Sequence, residues 1–241
     1  KKEAQELIDI AKSIKRKLMI GHIYLYHPAI TELKKIMANK ELGKIYYLLA
    51  QRLNLGIVRS DVNSLWNFAP HDLSIMLYLL DKKPVSVICL GQSYLQKNIE
   101  DITLLTLKYD DKTIANITLS WLHPAKIREL TVVGSKKMAV FDDTDVTTPL
   151  KIYDKGVDLQ KVDRQWKSFG EFKMITRFGD IMEPALENIE PLETELGHFL
   201  ESIKNKSEVI SGGENGLQVL SIIEAADKSM KRGGKEIEIK Y

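Results

Sequence analysis

The sequence predicts an α+β fold, an antiparallel sheet with helices packed against it, and three observations carry that expectation. Four strand-like runs, Val85–Ser93, Ile102–Tyr109, Thr113–Trp121 and Ile127–Gly134, follow one another with only short polar breaks. In the third run Ala115, Ile117, Leu119 and Trp121 alternate with Asn116, Thr118 and Ser120, the period of a strand with one buried and one polar face. The two ends of the chain instead carry apolar residues at helical spacing.

From Glu3 to Ile14, residues Ala4, Leu7, Ile8, Ala11 and Ile14 fall on one helical face. Glu3 and Glu6 near the start and Lys15-Arg16-Lys17 at the end suit the helix dipole. Leu18-Met19-Ile20-Gly21-His22-Ile23 is a short apolar run expected as a buried strand, and Pro28 opens a helix through Leu33, Ile36 and Met37. Lys44–Asn54 reads as a strand and Gly56–Ala69 as a polar loop, after which Pro70 is expected to open the next helix. Asp110-Asp111-Lys112 is the hairpin turn between the second and third of the four strands. Asp142 to Asn188 has weak periodicity, with short strand-like pieces such as Leu150–Tyr153, and suits an excursion or a partner-contacting loop. Two amphipathic helices, Pro191–Asn205 and Glu214–Lys231, follow; Gly212-Gly213 and Gly233-Gly234 punctuate them, and Ile237 and Ile239 suggest a last strand.

Composition narrows the function. The chain has 241 residues, 44% hydrophobic and 28% charged, and needs neither disulfides nor a structural metal to build a core. A net charge of +2 argues against nucleic acid or an anionic membrane as a partner. Cys89 is the sole cysteine, so no intramolecular disulfide is possible and a cytoplasmic location is expected. The most apolar stretch, Leu73 to Leu80, is about ten residues short of a membrane span. The start, Lys1-Lys2-Glu3-Ala4, has neither an initiator Met nor a signal-peptide core, as expected of the inside of a longer chain.

Several chemistries lack their motifs. There is no Gly-x-Gly, hence no GxGxxG turn for a dinucleotide, and no phosphate-binding GxxxxGK[ST]. A CxxC is impossible, no HExxH occurs, and no metal site is expected. Glu195 and His198 form one ExxH, which alone is expected to be a solvated helix face.

The informative stretch is Leu65-Trp66-Asn67-Phe68-Ala69-Pro70-His71-Asp72. With Pro70 in the first helical turn, His71 would meet the positive end of the dipole and stay neutral, able to accept a proton, while Asp72 pulls the other way. A His merely hydrogen-bonded at a helix start is the plainer alternative. Arg52, Asn54, Arg59, Asp61, Asn63, Trp66 and Asn67 suit a hydroxyl-rich ligand, with donors for sugar or phosphate oxygens and an indole to stack on a ring. They equally suit a solvated loop with a capping Asn and surface ion pairs. Between two strands, Ser120 to Arg128 adds His123 and Lys126 to the candidates. Lys126 and Arg128 share a strand face that could meet an anion, or this is simply a polar turn.

Together, EAQELIDIAKSIKRKLMIGHIYLYHPAI at 3–30, LWNFAPHDLSI at 65–75, SWLHPAKIRELTVVGSKKMAVFDD at 120–143, EPLETELGHFLESI from 190 and GGENGLQVLSIIEAADKS to 229 resemble a known family. It is the glucose-fructose oxidoreductase and inositol dehydrogenase (Gfo/Idh/MocA) family of NAD(P)-dependent sugar oxidoreductases. The resemblance spans nearly the whole chain, is weakest at 144–188, and is strongest to branches acting on sugars or nucleotide-linked sugars. It implies that residues 1–25 are the last helix and strand of a Rossmann domain. Residues 26–241 would be a substrate-binding and oligomerisation domain with an open, mostly antiparallel sheet and helices on one face. The glycine loop and the family's catalytic Lys in a Glu-Lys-Pro segment would lie upstream of Lys1. His71 matches the family's active-site His, which takes the hydroxyl proton as the carbon gives hydride to NAD or NADP. Four residues earlier the family often has Asp where this chain has Asn67; an amide can orient a hydroxyl or an imidazole but adds no negative charge. The resemblance implies Tyr26, Arg52, Asn54, Arg59, Trp66, His123 and Lys126 as substrate ligands and His22 on the cofactor side, where a structural role is also open to His22. A homo-oligomer formed through the sheet is implied. A noncatalytic sugar-binding or assembly module that kept the fold is the alternative, favoured by the missing glycines and by Asn67.

Overall fold

The computed structural model describes residues 1–157 and 176–241. Helix α1 (Lys2–Ser13) leads into an extended segment, a 3-10 turn (Ile23–Tyr26) and α2 (Pro28–Ala38). Strand β1 (Ile45–Leu53) precedes α3 (Ser64–Leu80). Strands β2 (Ser86–Gln92), β3 (Ile102–Lys108), β4 (Ile114–Ser120), β5 (Ile127–Gly134), β6 (Met138–Asp142) and β7 (Leu150–Val157) follow. Then come β8 (Thr176–Met182), α4 (Pro191–Asn205), α5 (Gly213–Lys231) and β9 (Ile237–Glu238).

The described strands form one sheet in the order β8-β7-β6-β5-β1-β4-β3-β2-β9. Neighbours are antiparallel except β1 and β4, which run parallel. Helices α2, α3 and α5 cover one face. Leu48 and Ala50 of β1, Leu105 and Leu107 of β3, and Ala115, Ile117 and Leu119 of β4 point into one core with Leu33, Leu65, Leu73 and Ile222 from those helices. Among the described residues no helix covers the other face, which carries exposed Tyr47, Leu49, Leu104 and Ile114 among polar residues and so is more apolar than the β4 alternation alone suggested.

Four sequence expectations need correction. The Leu18–Ile23 run is not a strand but a single bridge, Met19 with Gly212, because only the segment before α5 lies beside it. Ile20 N–H donates to Ser211 O at 2.7 Å, and the chain then turns, His22 N–H reaching back to Ile20 O. Gly216 on α5 permits this close approach, since a Cβ there would stand 2.8 Å from Ile20.

Helix α3 begins at Ser64, with Pro70 inside it. Asn63 is the cap: its side-chain oxygen accepts from Trp66 N–H at 3.1 Å, and its amide donates to Glu100 at 2.6 Å. Pro70 removes one backbone bond in the second turn. The helix persists because Leu65, Ala69, Leu73, Ile75 and Met76 are buried on it. At its far end Lys34 donates to the free carbonyl of Tyr78 at 2.7 Å and pairs with Asp81, the left-handed cap.

Third, β6 was not assigned from sequence, β8 is a strand within the weakly periodic stretch, and β7 runs beyond the expected Leu150–Tyr153; residues 158–175 of that stretch lie outside the described residues. Fourth, the Glu195–His198 face of α4 is not solvated. Glu195 is 4% exposed, with one carboxylate oxygen lacking a partner among the described residues, and burial raises its pKa. The helix turns this side toward the 3-10 turn, where His198 lies 5.5 Å from the Tyr26 ring, and leaves Leu192, Leu196 and Leu200 exposed. No described helix is long and apolar enough to cross a membrane.

Candidate active site

The sheet brings the candidates to one end. Leu53, the last residue of β1, is in register with Ser120, the last of β4, and with Ile127, the first of β5. The loop after β1 and the turn between β4 and β5 therefore emerge together, beside the first turns of α3.

His71 sits two turns into α3, half-buried, four residues from Asn67 and so on the same helical face. Its Nδ1 is buried with no partner among the described residues, and its ring meets the Tyr24 ring edge-on at 5.3 Å and 70°. The imidazole is neutral at pH 7, but not because of a helix start. Burial pushes its pKa down to about 4, helped by the positive charges of Arg52 and Arg128 and opposed by Asp72 and Asp143. The Asn67 side chain makes no hydrogen bond among the described residues.

Arg52 does not face solvent. It is 5% exposed, with Nε and Nη2 forming a bidentate pair with Asp72 at 2.8 and 3.1 Å and Nη1 donating to Tyr24 Oη at 3.1 Å. Burial alone would lower its pKa; the charge and hydrogen bonds of Asp72, then Tyr24, outweigh that and hold it above the usual arginine value. Arg128 Nη1 donates to the same Tyr24 oxygen at 3.1 Å and to Asp143 Oδ2 at 3.0 Å, and Tyr24 donates to Asp143 Oδ2 at 3.0 Å. Tyr24 and Asp143 were missed from sequence. The signal was present in β1, where Arg52 shares the inward parity of Leu48 and Ala50 and therefore needs buried partners.

His22 is 5% exposed, and its Nε2 also lacks a partner among the described residues. Burial lowers its pKa to about 4, with a further push from His71. His22, Trp66 and Pro70 line an apolar cleft of about 220 Å³ between α1 and α5. Trp66 is 37% exposed there, as a stacking platform requires.

The remaining candidates are dispersed. Asn54 N–H extends the β1–β4 ladder to Ser120 O at 3.2 Å. Arg59 pairs with Asp61 on the open loop, the surface ion pair of the plainer alternative. His123 Nδ1 is engaged with the backbone of Ala125 in the exposed turn, and Lys126 is exposed beside it. Tyr26 is buried, its hydroxyl 3.3 Å from Ser211 Oγ, and braces the 3-10 turn against the segment before α5.

Residues 30–140 match the family described as GFO/IDH/MocA C-terminal domain. The chain is 30% identical over 155 residues to a UDP-N-acetylglucosamine 3-dehydrogenase of Acidithiobacillus ferrooxidans, a match covering 64% of this chain and 47% of that protein. The chain thus spans about half the length of the curated relative it matches. A solved structure of the UDP-N-acetylglucosamine 3-dehydrogenase of that organism superposes with a TM-score of 0.75 at 25% identity, covering 96% of this chain and 69% of that one. The fold is shared with an aldose-aldose oxidoreductase from Caulobacter crescentus complexed with glycerol, at TM-score 0.78, 20% identity and coverage of 98% and 68%. It is shared too with an inositol dehydrogenase homologue from Azotobacter vinelandii complexed with NADH and myo-inositol, at TM-score 0.77, 16% identity and the same coverage. Residues 30–140 thus match the Gfo/Idh/MocA C-terminal domain, and the chain shares its fold with these oxidoreductases.

Proposed function

We propose that this chain is the substrate-binding part of an NAD(P)-dependent dehydrogenase that oxidises a hydroxyl of a sugar or nucleotide-linked sugar. One observation carries the proposal: His71 and Asn67 stand four residues apart on α3, whose neighbouring Trp66 and Pro70 line an apolar cleft, in a chain related to a nucleotide-sugar dehydrogenase. His71 accepts the hydroxyl proton and Asn67 orients the substrate. A neutral imidazole whose pKa is depressed to about 4 takes that proton only as charge builds on the reacting carbon, so its role is confined to the transition state. Trp66 stacks on a ring of the substrate; Asn54, His123 and Lys126, after β1 and in the β4–β5 turn, supply polar contacts, and Arg59 reaches in from the loop once freed from Asp61.

A nicotinamide group, when bound, accepts the hydride. The residues present fit only its reactive end: His22, whose buried Nε2 has no partner among the described residues, lines the apolar cleft, while the sequence has no glycine turn to hold a pyrophosphate. Residues 1–25 are on this view the close of a dinucleotide-binding domain and 26–241 the substrate domain. The sheet face with Tyr47, Leu49 and Leu104 suits association with a second copy.

In the active protein, His71→Asn should lower kcat roughly 100-fold or more while cofactor affinity stays within about twofold. Unchanged turnover removes His71 from the chemistry. The second view, a noncatalytic sugar-binding module, is favoured by Asn67 and by the weak basicity of His71. It predicts saturable sugar binding without reduction of NAD or NADP.

A further inference from the structure

Arg52 stands directly opposite Arg128 across the β1–β5 pair. Like charges so placed repel, and burial of Arg52 removes most of the water that would screen them. Asp72 and Asp143 supply the balancing charge, one for each guanidinium. Among the described residues only the Tyr24 hydroxyl touches both cations, accepting from Nη1 of each at 3.1 Å while it donates to Asp143 at 3.0 Å. A phenol tethered at three points cannot swing. Its ring lies 4.7 Å from the Arg52 guanidinium carbon and 5.3 Å from the His71 ring, edge-on.

We propose that Tyr24 is a positioning residue for His71: the anchored phenol is the wall that keeps Nδ1 of the imidazole buried and leaves Nε2 to meet the ligand. The catalytic meaning of this rests on the function proposed above; the geometry does not. Nδ1 has no partner among the described residues to orient the ring by a hydrogen bond, so packing against Tyr24 has to do so. The groups that face the imidazole are Arg52 from β1, Arg128 from β5, Asp72 from α3, Asp143 after β6 and His22 from the segment before the 3-10 turn. The two arginines oppose its protonation and the two carboxylates favour it, while His71 in turn lowers the pKa of His22. Removing the ring admits water to the imidazole and weakens the burial that holds its pKa near 4.

The test is NMR of the chain with ring-labelled histidine, its five imidazole signals assigned with His71→Asn. In Tyr24→Leu the His71 ring protons should lose the ring-current displacement of a neighbouring aromatic edge, and the His71 titration should move up from about 4 toward 6.5. Tyr24→Phe, which keeps the ring, should restore most of the displacement. The exposed-turn signal of His123 should not move and serves as the folding control. If Tyr24→Leu does not fold, Arg128→Gln, which cuts one tether at a half-exposed position, should produce a smaller displacement in the same direction. His71 shifts and titration that coincide with the unmodified chain in the folded variant overturn the proposal. Turnover is read separately: in the active protein Tyr24→Leu should lower kcat with little change in substrate KM and move the acid limb of the pH profile upward. Should His71→Asn leave turnover intact, the dehydrogenase assignment falls while the NMR result still judges Tyr24.

Discussion

At the centre of the sheet Arg52 is buried and paired with Asp72 and Tyr24, whereas at the β7–β8 edge Arg177 meets Asp154 with both side chains more than 40% exposed. The same residue types serve different ends. At the centre, helices exclude water, so each charge demands a partner and fixes its neighbour's position, and His71 inherits that order. At the edge water solvates both partners, Phe178 is 76% exposed, and the strands are held chiefly by their backbone ladder. Precision at the centre comes from burial, and half-buried His71 lies directly against that buried charge cluster.

The largest expected effect breaks the central pair. Asp72→Ala leaves the Arg52 guanidinium buried without its counter-charge and should cost about 3–5 kcal/mol, seen as a lowered denaturation midpoint at unchanged slope. A loss below about 1 kcal/mol would mean that water reaches Arg52. Leu73→Ala, opening a cavity in the fully buried face of α3, should cost about 2–5 kcal/mol in the same assay.

The pH dependence sharpens the contrast. His22 and His71 are neutral when folded down to about pH 4, while the unfolded chain protonates such rings near 6.5. The unfolded state therefore binds more protons in that interval, so stability falls as pH drops from about 6.5 to about 4, and these two groups add no further loss below it. His22→Gln should flatten the slope across that window; a slope equal to the unmodified chain's would place His22 in water. Smallest of all, Arg177→Ala at the edge should change stability by less than about 1 kcal/mol, with salt erasing most of the difference.

Much of this was legible in the residues themselves. The alternation Ala115, Ile117, Leu119, Trp121 faces the core as its period required, and Pro191–Asn205 is a helix with those bounds. Asn67 and His71 were recognisable as a pair, though the helix joining them was not. Pro70 marks a helix start on local grounds, and it lies inside α3 because Asn63 caps further upstream and the buried face of the helix outweighs one lost backbone bond. Glu195 looked like a solvated carboxylate because nothing nearby in sequence shows that the 3-10 turn will cover it. Asp143 and Tyr24 escaped notice because their partners lie far along the chain and meet them only across the sheet.

The sequence by itself determined the four central strands, the helices Pro28–Ala38 and Pro191–Asn205 in outline, the inward parity of Arg52 and the presence of an imidazole four residues after a hydrogen-bonding amide. These follow from local period and turn chemistry. Only the tertiary structure decided which charges are buried together, that His71 owes its neutrality to burial and two arginines, and which polar groups lack a partner. Desolvation and Coulomb energy depend on distances between segments, and those distances exist only after the sheet has closed.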